Sequence, residues 1–215
     1  MSRVVIGSSL TRPLNLIADT KVFCTPGATL PIVNHLIQAD KDIRDAVLEA
    51  KTVVIMAGGN DVDNGKEITI VWDWGKISQK IHNINPHCKV LICSIFPRAT
   101  FSNEKQSLIR ELFRLGQTFE RKYCYKMINI SKFLWDSKKA EAIDKYFTGG
   151  LHFSDKGARI VKEKLRVFMK PRLTWAYYQV RIIRKHVYKE SRDQYCGCSG
   201  CIRLEEMLGR RTILP

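Results

Sequence analysis

Nowhere in the 215 residues is there an apolar run long enough to cross a bilayer or to form a secretory signal core. The first apolar stretch, Val4-Val5-Ile6, stops at Gly7. The expectation is a soluble cytoplasmic protein, also compatible with the nucleus, with upstream regions that could have been removed. Acidic residues are scarce: 21 Asp and Glu stand against 36 Lys and Arg, a formal net charge of +15. Such a surface holds polyanions at low salt, so RNA, DNA or an anionic membrane surface are candidate partners, although charge alone specifies none of them. A disulfide framework is missing too. The seven cysteines are an odd count, and Cys24, Cys88, Cys93 and Cys124 stand singly beside apolar segments, as reduced buried thiols do. There is no internal repeat and no low-complexity tract.

What is present is an alternation of short β-branched runs with longer amphipathic stretches, the rhythm of a parallel sheet covered by helices on both faces. Strands are expected over Arg3 to Ile6, Lys21 to Cys24, Thr52 to Met56, Lys89 to Ile95 and Lys126 to Ile130. Helices are expected over Leu30 to Gln38, Asp42 to Ala50, Ile68 to Ile84 and Glu104 to Arg121. A last helix starts at Ser154, whose hydroxyl is placed to cap it, and ends at Lys170-Pro171. Residues 1–170 thus read as one α/β domain and 171–215 as an appendage.

Catalytic groups of open α/β sheets collect at the carboxyl ends of the strands, so the loops after the strands belong together. The first runs into Gly7-Ser8-Ser9-Leu10, where glycine permits a tight turn and a serine is presented at the next helix; an ordinary turn has the same composition. The second, Cys24-Thr25-Pro26-Gly27, offers a glycine N–H to a developing oxyanion, or is a simple proline-glycine turn. The third, Gly58-Gly59-Asn60-Asp61, brings a carboxamide that can donate to the same oxyanion, or a turn-forming asparagine. Near the end, Gly149-Gly150-Leu151-His152 places an imidazole just ahead of a helix cap, where a rigid element can aim it; a solvated loop histidine is the plainer alternative.

In this order and spacing the four blocks resemble the SGNH (GDSL-like) hydrolase superfamily over residues 3 to 169. The resemblance implies a three-layer, flavodoxin-like fold on a five-stranded parallel sheet. It implies Ser9 as nucleophile, His152 as base, and the Ser9 backbone, Gly27 and Asn60 as oxyanion donors. Two positions depart from the family pattern. Where the family has an aspartate three residues before the histidine, this chain has Gly149; Asp144 and Asp155 lie nearby at other spacings, and a backbone carbonyl is another way to orient the ring. Where the family often has aspartate before the nucleophile, this chain has Ser8. Within the superfamily, Val5-Ile6-Gly7, Phe96-Pro97-Arg98 and 151–159 are similar to esterase-like domains of animal non-LTR retrotransposon proteins.

The implied activity is a short-acyl carboxylesterase or acetylesterase acting on a small ester with no catalytic cofactor. Acyl transfer and peptide hydrolysis use the same groups. The competing reading is an SGNH-like pseudoenzyme that binds RNA or DNA through its basic surface. Beyond Pro171 the chain turns aromatic and basic, from Trp175 to Arg192, as a further helix that docks on the domain or stacks on bases. It closes with Cys196-Gly197-Cys198-Ser199-Gly200-Cys201. These three thiols and His186 are candidate zinc ligands by chemistry, although Cys196 and Cys198 are closer than in a usual knuckle.

Overall fold

The computed structural model describes residues 2–136 and 141–169. The aromatic-basic stretch and the zinc candidates His186, Cys196, Cys198 and Cys201 lie outside the described residues.

Five strands, β1 (Arg3–Gly7), β2 (Thr20–Cys24), β3 (Thr52–Met56), β4 (Lys89–Cys93) and β5 (Lys126–Ile128), form one sheet in the order β2-β1-β3-β4-β5, every neighbouring pair parallel. This is the flavodoxin-like order, and its reversal of direction falls between β1 and β3. The long helices are α1 (Leu30–Ala39), α2 (Lys41–Glu49), α4 (Ile70–Ile84), α5 (Asn103–Tyr123) and α6 (Asp155–Phe168), with a single turn, α3 (Gly59–Asp63), after β3. Among the described residues the expected strands and helices are all present, with boundaries shifted by a few residues. Ser154 caps α6 by accepting from the Gly157 N–H, as its position predicts.

Alternating side chains of the buried strands divide the core into two layers. Val4, Ile6, Val53, Ile55, Val90 and Ile92 face one cluster with residues of α1, α2, α4 and α5. Val5, Val54, Met56, Leu91 and Cys93 face the other, with Val161 and Leu165 of α6 and Leu10 and Leu14 of a 3-10 helix, Ser9–Leu16. A strand buried on both faces favours an unbroken apolar run, which is why β3 reads Val-Val-Ile-Met after Thr52.

The parallel register puts the site together. Gly7 is level with Cys24 of β2 and with Met56 of β3, so three strands end on one line and deliver their loops to one sheet edge. Asp61, fully buried in α3, fastens two of these loops. Both its carboxylate oxygens accept from the Leu30 N–H at 3.1 Å, capping the start of α1. Burial pushes the Asp61 pKa above the ordinary carboxylate range against the lowering effect of that hydrogen bond.

Two predictions follow from these buried groups. Cys88 and Cys93 are buried while Cys24 and Cys124 are half-buried, and burial pushes the Cys88 thiol up to about 12 and that of Cys93 up as well. Because the thiolate is the reactive form, iodoacetamide at pH 8 followed by peptide mapping should label Cys24 and Cys124 in the native protein, and Cys88 and Cys93 only after denaturation. Native labelling of Cys93 at the rate of Cys24 would contradict this packing. For Asp61, a folded-state pKa above the unfolded one gives a contribution that is complete below the unfolded pKa and lost as pH rises through the folded pKa. Asp61→Asn, which keeps an acceptor for Leu30, should therefore gain stability relative to the parent between pH 4 and pH 7 in urea titrations. A difference that is flat with pH, or that reverses, would show that the hydrogen bond outweighs the burial.

Candidate active site

β1 turns into the 3-10 helix through Gly7 and Ser8. A Cβ at position 7 would stand 2.2 Å from the Met56 carbonyl oxygen and 2.7 Å from the Thr11 methyl, so only glycine fits the end of this strand. The Ser8 N–H donates to that same Met56 oxygen at 3.3 Å. The Ser8 carbonyl accepts from the Thr11 N–H at 2.9 Å, the Thr11 hydroxyl at 2.8 Å and the Cys24 thiol at 3.5 Å. Ser8 itself is buried, so it braces the turn through its backbone. Ser9, half-buried, follows as the first residue of the 3-10 helix, where the helix's own ladder does not use its N–H.

Gly27 lies in the exposed turn after β2 with φ +72°, and Ala28 N–H donates to the Thr25 carbonyl to close that turn. Asn60 is the second residue of α3, following Gly59 and the Gly58 cap, whose φ is +118°. The Asn60 amide nitrogen donates to the Ala28 carbonyl at 3.0 Å. The Gly27 loop is thus joined to α3 twice, through Asn60 to Ala28 and through Asp61 to Leu30.

His152 begins a two-residue strand, β7 (His152–Phe153), paired antiparallel with β6 (Phe147–Thr148) so that His152 faces Thr148. Gly149 and Gly150, with φ +59° and +69°, make the turn between them. The hairpin is pinned at its tip, where the Ala99 N–H donates to the Gly150 carbonyl at 3.1 Å. At its base the Phe153 ring meets Phe96 edge-on at 5.0 Å and Phe147 at 5.8 Å, and the Ser154 N–H donates to Tyr146 at 3.0 Å. β7 packs against the 3-10 helix that Ser9 starts, so the elements carrying serine and histidine are neighbours. His152 is exposed to solvent, and Asp144 and Asp155 are exposed as well, in a 3-10 turn and in the first turn of α6.

Beside the turn before Ser9, among the loops after β1, β3 and β4, is a recess of about 10 Å³, lined by Ser8, Leu10, Met56, Gly59, Phe96 and Arg98 among others; Ser9, Gly27, Asn60 and His152 do not line it. That is the volume of a single water or methyl-sized group, on the scale of about 10–15 Å³ for one water. Arg98, buried at 4% exposure, is the residue that the spacing of the blocks does not disclose. It donates to the Asn60 Oδ1 at 3.0 Å and is paired with Asp63. Burial draws its pKa below the ordinary value, though a guanidinium stays charged in proteins. The available signal is a lone cation after Phe96-Pro97 in an otherwise apolar run from Val90. Among the described residues no group of three or more His, Cys, Asp or Glu side chains is placed to hold a metal, and no helix is long and apolar enough to cross a membrane.

Comparison with known proteins bears on the fold and the family. No curated protein matches the chain. Among solved structures, a Streptococcus pneumonia protein described as a platelet activating factor superposes with a TM-score of 0.65 at 18% identity, over 79% of this chain and 84% of that one. A lipase from a goat rumen metagenome gives 0.63 at 17%, over 80% and 99%. An acetyl xylan esterase gives 0.62 at 17%, over 78% and 100%. At these identities the likeness concerns the fold. The sequence profile of the GDSL-like lipase/acylhydrolase family matches residues 8–160, a span that runs from the turn before Ser9 into α6, and the chain belongs to that family.

Proposed function

We propose that this chain is a serine ester hydrolase for short acyl groups, with acetyl esters as its natural class, acting through a Ser9–His152 dyad. The observation that carries this reading is the convergence of the Ser9 turn, the Gly27 turn and Asn60 on the line where β1, β2 and β3 end, with the His152 hairpin packed against the Ser9 helix. In the proposed reaction the Ser9 hydroxyl attacks the acyl carbonyl while His152 takes its proton. The tetrahedral oxyanion is met by N–H groups of Ser9 and Gly27 and by the Asn60 amide. His152 then gives the proton to the leaving alcohol, and water repeats the sequence to release the acid. No cofactor enters these steps. The recess of about 10 Å³ beside Ser8 is the size of a methyl group, which supports a short acyl chain such as acetyl. The acetyl xylan esterase of the same fold acts on that class of ester.

We also propose that the chain divides at 170/171, with 171–215 as a separate appendage, and that it is kin to retrotransposon esterase-like domains, on the short segments around β1, Arg98 and His152. The net charge of +15 supports contact with RNA or DNA beside the hydrolase chemistry.

The first test is turnover of p-nitrophenyl acetate and labelling by a fluorophosphonate, with Ser9→Ala as control. Wild type should hydrolyse and label, and Ser9→Ala should do neither. An inert wild type that binds single-stranded RNA with steep salt dependence would instead mark a binding protein on a hydrolase scaffold. A second prediction concerns the aspartate that the family has and this chain lacks. A Cβ at Gly149 meets nothing within 4 Å, and its φ of +59° lies where aspartate is among the better-tolerated side chains. Gly149→Asp should raise kcat by about tenfold or more, below the roughly 10⁴-fold that the carboxylate supplies in a serine protease. An unchanged kcat would mean that another group already orients the His152 ring.

A further inference from the structure

Resting on the hydrolase reading above, we propose that Arg98 is a positioning residue that holds the Asn60 carboxamide with its N–H groups turned toward the oxyanion. A carboxamide is nearly symmetric in shape, so either end fits a pocket, and only its partners decide which end faces the substrate. Arg98 can only donate, so its 3.0 Å contact fixes Oδ1 on its own side and turns the Asn60 nitrogen the other way. One Asn60 hydrogen is taken by the Ala28 carbonyl at 3.0 Å, which leaves the second for an acyl oxygen. The guanidinium also polarises the amide it binds, making the remaining N–H a stronger donor.

The site is built around this contact. A Cβ at Gly59 would lie 2.6 Å from Arg98 Nη2 and 3.1 Å from Cζ, so the residue before Asn60 is glycine because the guanidinium lies against its backbone. Asp63, one turn further along α3, pairs with the Nη1 of Arg98, and the Phe101 ring lies 5.4 Å from its Cζ. The Arg98 carbonyl accepts from Gln106 Nε2 at 2.6 Å, which anchors the arginine to α5. The next residue, Ala99, holds the tip of the His152 hairpin through Gly150. One short segment, Arg98-Ala99, therefore sets both the oxyanion donor and the hairpin of the base.

A double-mutant cycle tests the proposal. Removing a single oxyanion donor costs about 10²–10³ in kcat, so Arg98→Met should lower kcat on p-nitrophenyl acetate by about 10–100-fold with KM changed far less. Arg98→Lys, which keeps one donor to Oδ1, should recover part of the loss. In an Asn60→Ala background, Arg98→Met should cost almost nothing further, because residues acting through one group are not additive. Losses that multiply in that background would overturn the proposal, since they would mark a general structural role. The Asn60 side-chain amide gives a readout that needs no activity. In ¹⁵N NMR its protons should exchange faster in Arg98→Lys and Arg98→Met than in wild type, and unchanged exchange would also overturn the proposal. A wild type that is inert with p-nitrophenyl acetate would count against the hydrolase reading, leaving the positioning role to be decided by the amide exchange.

Discussion

The architecture depends on a missing methyl group. Where β1 meets β3, the position a Cβ of residue 7 would occupy is 2.2 Å from the Met56 carbonyl oxygen, a separation no side chain tolerates. Glycine lets the strands keep their parallel register to the last residue and then lets the chain leave the sheet at once. If β1 were displaced at this point, Ser8 would lose its bond to Met56, and its carbonyl would no longer gather Thr11 and Cys24. The serine is presented at the sheet edge because the preceding backbone has no room to go elsewhere.

Around that turn the polar groups work as fasteners between loops. Asp61 holds the start of α1, Asn60 holds Ala28, and Arg98 holds Asn60, so the loops after β2, β3 and β4 are linked in series. Burying a carboxylate and a guanidinium is costly in an apolar interior, and the opposing pKa displacements of Asp61 and Arg98 reflect that cost. Each is offset by directional bonds that an apolar residue could not make. Geometry at the edge of the sheet is therefore set by a few hydrogen bonds, while the two apolar layers below set the spacing of the strands.

The strands and long helices were legible because burial on both faces favours unbroken apolar runs, as in Val53–Met56, and helices on a sheet favour apolar stripes. The Ser154 cap was legible for a similar local reason. What escaped were features created by contact between distant segments. The 3-10 form of Ser9–Leu16 and the hairpin around His152 are too short to carry a periodicity. Arg98 reads as one cation among 36 Lys and Arg, and its link to Asn60 exists only once β3 and β4 lie side by side. The paired glycines before Asn60 look like flexibility in the sequence, whereas Gly59 is small because a guanidinium occupies the space beside it.

The turn that carries His152 also bears on how this chain relates to its kin. Gly149 adopts a left-handed backbone with open space where a side chain would project, so the loop has room for a carboxylate that it does not contain. Two of the four glycine codons become aspartate codons by a single base change. From such a codon an acidic residue could enter this position without rebuilding the hairpin, the aromatic cluster beneath it or the helix that follows.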